Sequence, residues 1–375
     1  MKKVLILVIA LLLVFTMAAC GGGGNNGGSG GGGGGGADAL NVGFIYIGAI
    51  NDGGFTQTHH NGTLGLMEKY GDAINCKWLE NIDDTNTQAC TDAAKQLIDQ
   101  GSTVIIGTSF GFGTPLFELA ESGDYDNITF IHFSGYLIND HNYGNYFGAM
   151  EEPRYLSGII AGMQTTTNKL GYVAAYPYTE VKIGINAFAL GAQSVNPDAT
   201  VSVVYINSWY DPAAEKQAAE ALLAQGCDVI TQHADTPGPQ LAAAEAGAFA
   251  IGYNLDNSGL EGLEDAYLTA PIWHHDSFLI PTIQAIMDGT WAPESYYGTM
   301  ADGYVALSPM TNNVTAEAKA KVEEVQALIK AGNFPIFTGP IYDNQGNEVV
   351  AAGESLDRGG IWEIEYHVKG VTASE

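Results

Sequence analysis

The stretch that decides the fold is Asn41-Val-Gly-Phe-Ile-Tyr-Ile-Gly48, followed by the turn Ala49-Ile-Asn-Asp-Gly-Gly-Phe55. Its continuous run of β-branched and aromatic residues predicts a strand buried on both faces, and a helical pattern that ends near Gly71 follows the turn. The same alternation continues, with strands predicted at 76–80, 103–107 and 128–133 and helices at 87–100 and around 115–121. Strands that alternate with helices in this way predict a parallel sheet with helices on both faces.

The alternation starts again after Glu152, which predicts a second half built like the first. Strands are predicted at 170–175, 200–206, 228–232 and 249–253, and helices at 155–162, 181–195, 212–226 and 240–246. Asp211-Pro212 is a favourable helix start, with a capping side chain and a proline at the first helical position. The chain is therefore predicted to be α/β, with two doubly wound parallel-sheet lobes joined by a multi-strand hinge.

The lobe boundaries follow from where the chain is expected to cross between the halves. Residues 266–270 are predicted to begin a crossover, the helix 274–287 to return to the first lobe, and the helix 316–330 to rejoin the second. We predict that lobe 1 comprises 40–150 plus about 274–307, and that lobe 2 comprises 151–273 plus about 308–375. The hinge is expected near 150–152, 270–273 and 307–309.

The N-terminal 39 residues are expected to lie outside both lobes. Lys2 and Lys3 precede an apolar run, Val4 to Phe15, that is too short to span a bilayer. Ala-Ala-Cys20 follows, and the pattern resembles a bacterial lipoprotein signal, which would be 1–19, with Cys20 lipidated. The tract 21–36 contains 13 glycines in 16 residues and predicts a flexible tether over 20–39. An ordinary secretory signal with an incidental cysteine is the alternative.

Composition restricts the partners of this chain. It carries 42 acidic residues against 14 Lys and Arg, a net charge of −28, which disfavours nucleic acid and phosphorylated ligands and favours a neutral or cationic one. No apolar stretch after the N-terminus approaches 18 residues, so lipid would be the only membrane attachment. Cys76, Cys90 and Cys227 form neither a zinc pattern nor a disulfide framework, and pairing of the first two stays open.

The candidate ligand-binding residues follow the predicted strands, because ligands of open parallel sheets bind beyond the carboxyl ends of the strands. The loops after the predicted strands contain both aromatic rings and carboxylates that can accept hydrogen bonds. The candidates are Asp52, Phe55, Phe110, Trp209, Asp235 and Asp256. Asp52 has a second interpretation, as the cap of the following helix. Rings that stack and oxygens that accept hydrogen bonds suit a planar neutral ligand with N–H or O–H donors. Purine bases and nucleosides fit that description, and so do sugars.

Several segments together resemble the basic membrane protein family, whose best-understood members are lipoproteins that bind purine nucleosides for an ABC importer. The resemblance runs from about Asn41 to Val368 and is carried by the segments 43–55, 108–112, 154–162, 180–188, 208–212 and 232–237. It implies a type I periplasmic-binding-protein fold, a permease as partner, a monomer, no cofactor, and an extracytoplasmic, lipid-anchored location.

The resemblance also assigns roles to particular residues. The base would lie between Phe55 and Trp209, one ring from each lobe, with Asp256 helping to hold it. The first loop departs from the family pattern, because Thr56 stands where an asparagine is usual. It looks instead like the subgroup that binds a free base such as adenine, so the choice between base and nucleoside stays open.

An enzyme, a sugar-binding lipoprotein of the same fold and a ligand-sensing receptor are the rival interpretations. The histidines have no catalytic or metal-binding spacing, and we expect them to be scattered surface residues. No catalytic residue and no metal ligand is therefore assigned. A sensor would have the same binding chemistry as an importer's binding protein, so the sequence leaves these two open.

Overall fold

The computed structural model describes residues 39–374, and the predicted signal peptide, Cys20 and the glycine tether lie outside the described residues. The strands are β1 Leu40–Ile45, β2 Ile74–Leu79, β3 Val104–Gly107, β4 Thr129–Phe133, β5 Tyr143–Gly148, β6 Lys169–Ala174, β7 Thr200–Tyr205, β8 Val229–His233, β9 Phe249–Ile251, β10 Tyr267–Thr269, β11 Pro271–Trp273, β12 Ser295–Gly298, β13 Val305–Leu307, β14 Ile341–Tyr342, β15 Glu348–Val350 and β16 Val371–Ser374. The helices are α1 Phe55–Tyr70, α2 Thr87–Asp99, α3 Gly113–Glu121, α4 Glu151–Gln164, α5 Thr179–Val195, α6 Pro212–Ala224, α7 Gly238–Glu245, α8 His275–Met287, α9 Ala316–Lys330 and α10 Arg358–Ile361.

Two six-stranded sheets form the two lobes. The first has the order β12-β5-β4-β3-β1-β2 and the second the order β10-β9-β8-β6-β7-β16, with every neighbouring pair parallel. The strand order reverses between β1 and β3 in the first sheet and between β6 and β8 in the second. The predicted fold class, two doubly wound parallel-sheet lobes, is confirmed.

Local sequence explains where the helices begin. The Asp211 carboxylate accepts hydrogen bonds from the backbone N–H groups of Ala213 and Ala214, and Pro212 opens α6, as the sequence predicts. Asn86 caps α2 in the same way. Strands β5, β12 and β16, which have no counterpart in the sequence-based prediction, extend the edges of the two sheets.

Two of the predicted crossover segments lie side by side. Pro271 to Trp273 pairs antiparallel with Val305 to Leu307, so β11 and β13 form a two-stranded ribbon. Met150 immediately precedes α4. These segments are the ones proposed as the hinge, and the lobe boundaries and the hinge stay predictions.

The expectation that the histidines are surface residues is wrong for five of them. His59, His60, His132, His233 and His275 are all buried. The His59 ring stacks on His275 with centroids 3.8 Å apart, and burial lowers the pKa of His59 to about 3. Imidazoles in this environment are neutral and act as core aromatic rings. The sequence pattern missed this because a buried histidine needs neighbouring rings that are distant in the chain.

The described part of the chain gives three further facts that bear on function. Cys76, Cys90 and Cys227 are free thiols. Within residues 39–374, no helix combines the length and the apolar character that crossing a bilayer requires. The same residues hold no cluster of three His, Cys, Asp or Glu side chains arranged to bind a metal ion.

Candidate functional site

The loops at the carboxyl ends of both sheets line a cleft between the lobes. The cleft has an outer chamber of about 550 Å³, lined by Phe110, Ser134, Gly135, Tyr136, Phe147, Pro177, Tyr178, Thr179, Glu180, Trp209, Ser295, Tyr297, Arg358, Trp362 and Glu365. An inner compartment of about 30 Å³ adjoins it, lined by Ile47, Phe55, Ser109, Phe110, Phe133, Ser134, Phe147, Glu180, Trp209, His233, Asp235, Tyr253 and Trp273. The outer volume is typical of a small-molecule site, whereas the inner one has room only for a water or two.

Two predicted rings, one from each lobe, line both compartments. Phe110 lies on a short 3₁₀ turn after β3 and is 52% exposed, whereas Phe112 on the same turn is buried in the first lobe. Trp209 follows β7, and its carbonyl oxygen accepts a hydrogen bond from the backbone N–H of Asp235 at 3.0 Å. That bond fixes the Trp209 loop to the loop after β8. A flat ligand in the outer chamber can therefore contact Phe110 and Trp209 together.

Phe55 and Asp235 line the inner compartment. Phe55 begins α1 and packs its ring edge-on against His59 and Phe133, with centroids 4.7 and 5.8 Å apart. Asp235 is buried, and burial together with the nearby carboxylates of Asp52 and Glu215 raises its pKa well above the usual value. A protonated Asp235 offers one hydrogen-bond donor besides its acceptor oxygen.

Asp52 and Asp256 line neither compartment. The Asp52 carboxylate accepts hydrogen bonds from the backbone N–H groups of Gly54, Thr56 and Gln57 at 2.8–3.0 Å, so it acts as the cap of α1. Asp256 accepts a bond from the backbone N–H of Ser258 in its own turn. In the geometry of this structure, neither carboxylate reaches the cleft.

Glu180 is a cleft residue that the candidate list lacks. It lies in the first turn of α5, and its Oε2 accepts a hydrogen bond from the Ser134 hydroxyl of the other lobe at 3.1 Å. Burial raises the pKa of Glu180 to about 7, so the carboxyl group can be either donor or acceptor near neutrality. The sequence did contain a signal for Glu180. It stands just after the loop Tyr176-Pro-Tyr178, which follows β6 at the carboxyl edge of the sheet, where ligands of such sheets bind.

The C-terminal segment supplies further residues to the outer chamber. The Arg358 guanidinium lies 4.2 Å from the Tyr297 ring centroid, and the Trp362 ring packs 5.5 Å from Phe147. Glu365 forms an ion pair with Lys182 at 2.6 Å. No sequence signal could have indicated these residues, because they lie in and after the four-residue helix α10, which follows no strand of the repeating pattern.

The carboxyl groups in the lining of the inner compartment are not balanced by a basic side chain. Among the described residues, its lining includes the carboxyl groups Glu180 and Asp235 and no Lys or Arg. An anionic ligand that reached this compartment would therefore meet like charges or protonated acids. The arrangement suits a flat, neutral or cationic ligand that presents hydrogen-bond donors toward Glu180.

Comparison with known proteins agrees with this geometry. The model of the family described as "Bmp: ABC transporter substrate-binding protein PnrA-like" matches residues 39–336. A purine-binding protein of Brucella abortus is 36% identical over 334 residues, covering 89% of this chain and 93% of that protein. A putative ABC transporter glucose-binding protein of Haloferax volcanii is also 36% identical, over 83% of this chain and 77% of that protein.

A solved structure shares the fold. An ABC transporter solute-binding protein of Aeropyrum pernix superposes with a TM-score of 0.68 and 18% identity, covering 81% of this chain and 93% of that one. At this identity the likeness shows the two-lobe solute-binding fold alone.

Proposed function

Because the chain belongs to the family of PnrA-like ABC transporter substrate-binding proteins, we propose that it captures a purine base or nucleoside between its lobes and delivers it to an importer's permease. It is thus a solute-binding protein of an ABC transporter, a class that binds small molecules outside the cytoplasm. The observation that carries the choice of purine is the pair of rings, Phe110 and Trp209, that face the same cleft from opposite lobes.

The size of the two compartments supports a particular position for the base. A bicyclic ring does not fit in about 30 Å³, so most of it would lie in the outer chamber against Phe110 and Trp209. Its polar edge would face Glu180 and Ser134, which line both compartments. Phe55 would touch only the inner edge of the ligand, which differs from the role that the family resemblance implies for it.

The balance of apolar and polar groups favours a purine over a sugar. The outer chamber, where most of the base would lie, is lined by seven aromatic rings of Phe, Tyr and Trp, and its Ser295 hydroxyl already donates to Asn145 Oδ1 at 2.8 Å. A hexose presents hydroxyl groups around its whole edge and needs a partner for each. A purine has two apolar faces and a polar rim, which matches rings on the walls and a few polar groups at one end.

Glucose is the second candidate, and the similarity to the putative glucose-binding protein of Haloferax volcanii is the observation that favours it. Isothermal titration of the purified protein with adenine, hypoxanthine, guanine, their nucleosides, ribose and glucose separates the two. We expect at least one purine compound to bind and both sugars to fail. Binding of glucose without any purine would replace the proposal with the second candidate.

The mass of any small molecule released when the purified protein is denatured provides an independent check, since tight binders retain cargo. A released purine supports the proposal. A released sugar contradicts it. Recovery of the ligand chemically unchanged after incubation separates a binding protein from an enzyme.

We also propose that Cys20 carries the lipid that anchors the protein to the outer face of the membrane. The sequence pattern around Cys20 and the glycine tract after it support this assignment. In cells, Cys20→Ala should move the protein from the membrane fraction to the soluble exported fraction. An unchanged membrane fraction in that variant would refute lipid anchoring at Cys20.

Deletion of the permease genes distinguishes a role in import from a role in sensing. An importer's binding protein loses uptake, whereas a sensor keeps its signalling output.

A further inference from the structure

A group of buried polar atoms lies behind the cleft, between the second sheet and the helices α4 and α5. Its members are Arg154 Nε and Nη2, Tyr172 Oη, Thr231 Oγ1 and His233 Nδ1, and none has a hydrogen-bond partner among residues 39–374. The four side chains are between 0% and 6% exposed. Buried polar atoms are almost always satisfied in native proteins, so this concentration of unpaired ones calls for a bound species.

Two features bring these atoms together: the register of β6 against β8, and a glycine on the facing helix. Tyr172 on β6 pairs directly with Thr231 on β8, and His233 is the next residue of β8 on the same face. Opposite them stands Gly184 of α5. A methyl group at Gly184 would lie 3.3 Å from Tyr172 Oη, 3.4 Å from His233 Nδ1 and 3.5 Å from Arg154 Nε. The glycine leaves a cradle toward which three of the four side chains direct polar atoms.

Arg154 supplies a buried positive charge at the cradle. Arg154 is fully buried and donates one hydrogen bond, from Nη1 to the carbonyl oxygen of Gln232 at 2.7 Å. Its guanidinium carbon lies 3.9 Å from the Tyr253 ring centroid. Within residues 39–374, no carboxylate oxygen lies within 4.0 Å of Arg154. Attraction to aromatic faces recovers only part of the free energy of desolvating a cation, so an anionic partner is required for compensation.

The unpaired atoms can all donate. The Tyr253 hydroxyl and His233 Nε2 lie 3.2 Å apart and share a hydrogen bond, the one polar contact of that hydroxyl among the described residues. When the hydroxyl is the donor, the imidazole proton lies on Nδ1. An arginine N–H group, the Tyr172 hydroxyl and, in that tautomer, the Nδ1–H therefore face the cradle, and Thr231 is paired with Tyr172 across the strands. A monatomic anion accepts from all of these donors and also compensates the charge of Arg154, which a water molecule does not.

We propose that Arg154, Tyr172, Thr231 and His233 bind a chloride ion in the cradle at Gly184. The ion compensates the buried guanidinium and holds His233 in the tautomer that accepts from Tyr253. His233 and Tyr253 both line the inner compartment of the cleft. The chloride site therefore supports the cleft from behind and is separate from the ligand itself.

Bromide provides the direct test, because it replaces chloride and scatters anomalously. Crystals of the protein soaked in sodium bromide should show an anomalous peak next to Gly184. In parallel, the melting temperature in sodium chloride should exceed that in sodium gluconate at equal ionic strength, by about 1–3 °C at ten times Kd.

Gly184→Ala places a methyl group in the cradle at 3.3–3.5 Å from three side-chain atoms, so the Tyr172 hydroxyl must move by a few tenths of an ångström. The variant should fold and lose both the anomalous peak and the chloride-dependent rise. Gly259→Ala is the matched control, because a methyl group there meets no atom within 4 Å; it should keep both signals. An ordered water without an anomalous peak, or equal melting temperatures in the two salts, would overturn the proposal.

Discussion

Gly54 of the first lobe lies directly against the carbonyl oxygen of Asp235 in the second, so that a methyl group at Gly54 would come within 1.8 Å of that oxygen. Next to this contact, Asn257 Nδ2 donates to the carbonyl oxygen of Gly53 at 3.1 Å. The two lobes therefore meet through backbone at this end of the cleft. The approach requires the absence of a side chain at Gly54.

Gly54→Ala should prevent this approach and hold the lobes apart. A backbone carbonyl cannot move aside cheaply, so the closed geometry becomes unavailable while each lobe stays folded. We expect ligand affinity to fall at least about tenfold, or 1.4 kcal/mol, and the radius of gyration measured with ligand by X-ray scattering to exceed that of the wild type. Gly259→Ala should change neither quantity. Wild-type affinity in Gly54→Ala would show that binding does not need this contact.

The ring substitutions test where the ligand lies. Trp209→Ala and Phe110→Ala should each weaken purine binding by about 1–3 kcal/mol, because each removes a stacking face. Trp209→Phe, which keeps a ring, should lose less. Phe55→Ala should have the smallest effect, since Phe55 lines only the inner compartment. If titration shows instead that Phe55→Ala equals Trp209→Ala, the base lies deeper than we propose.

Glu180 should make ligand binding depend on pH near neutrality. Its pKa is raised to about 7 by burial, and an ionised carboxylate is the stronger acceptor for ligand N–H groups. Affinity should therefore increase as pH rises through 7, and Glu180→Gln should flatten the profile. Glu152→Gln is the matched control, because burial also raises the pKa of Glu152 to about 7 although it does not line the cleft. A profile that Glu180→Gln leaves unaltered would remove Glu180 from the site.

The buried glutamates should contribute stability that falls as pH rises, opposite in sign to the contribution of buried histidines such as His59, whose pKa burial lowers to about 3. Burial raises the pKa values of Glu151, Glu152, Glu180 and Glu215 to about 7 from the usual 4.5. Between these values the folded chain binds protons that the unfolded chain releases, so the stabilising contribution is complete below 4.5 and is lost through 7. Urea unfolding at pH 5 and pH 8 measures the loss. Glu215→Gln should reduce it by about 1–3 kcal/mol, and an equal loss in the variant would contradict this account.

Asp52 should affect stability more than binding. Asp52→Ala removes the acceptor for the N–H groups of Gly54, Thr56 and Gln57 and should cost about 1 kcal/mol of unfolding free energy. Asp52→Asn keeps an acceptor and should be close to wild type in both unfolding and ligand titration. A large loss of affinity with normal stability in Asp52→Asn would instead assign the carboxylate to the ligand.

The sequence by itself determined the two-lobe α/β fold. Buried parallel strands and amphipathic helices have different hydrophobic patterns, and each can be recognised within a short stretch of sequence. It also found the loops that carry Phe110, Trp209 and Asp235, since the carboxyl ends of such strands face the ligand. Only the tertiary structure decided which of those side chains share a cavity. Asp52 caps the helix that follows it, Glu180 faces Ser134 across the lobes, and Arg358 and Trp362 come from the C-terminal segment around α10. The physical reason is that a cleft is made by side chains distant in sequence, whose directions depend on lobe closure and backbone contacts such as Gly54 against Asp235.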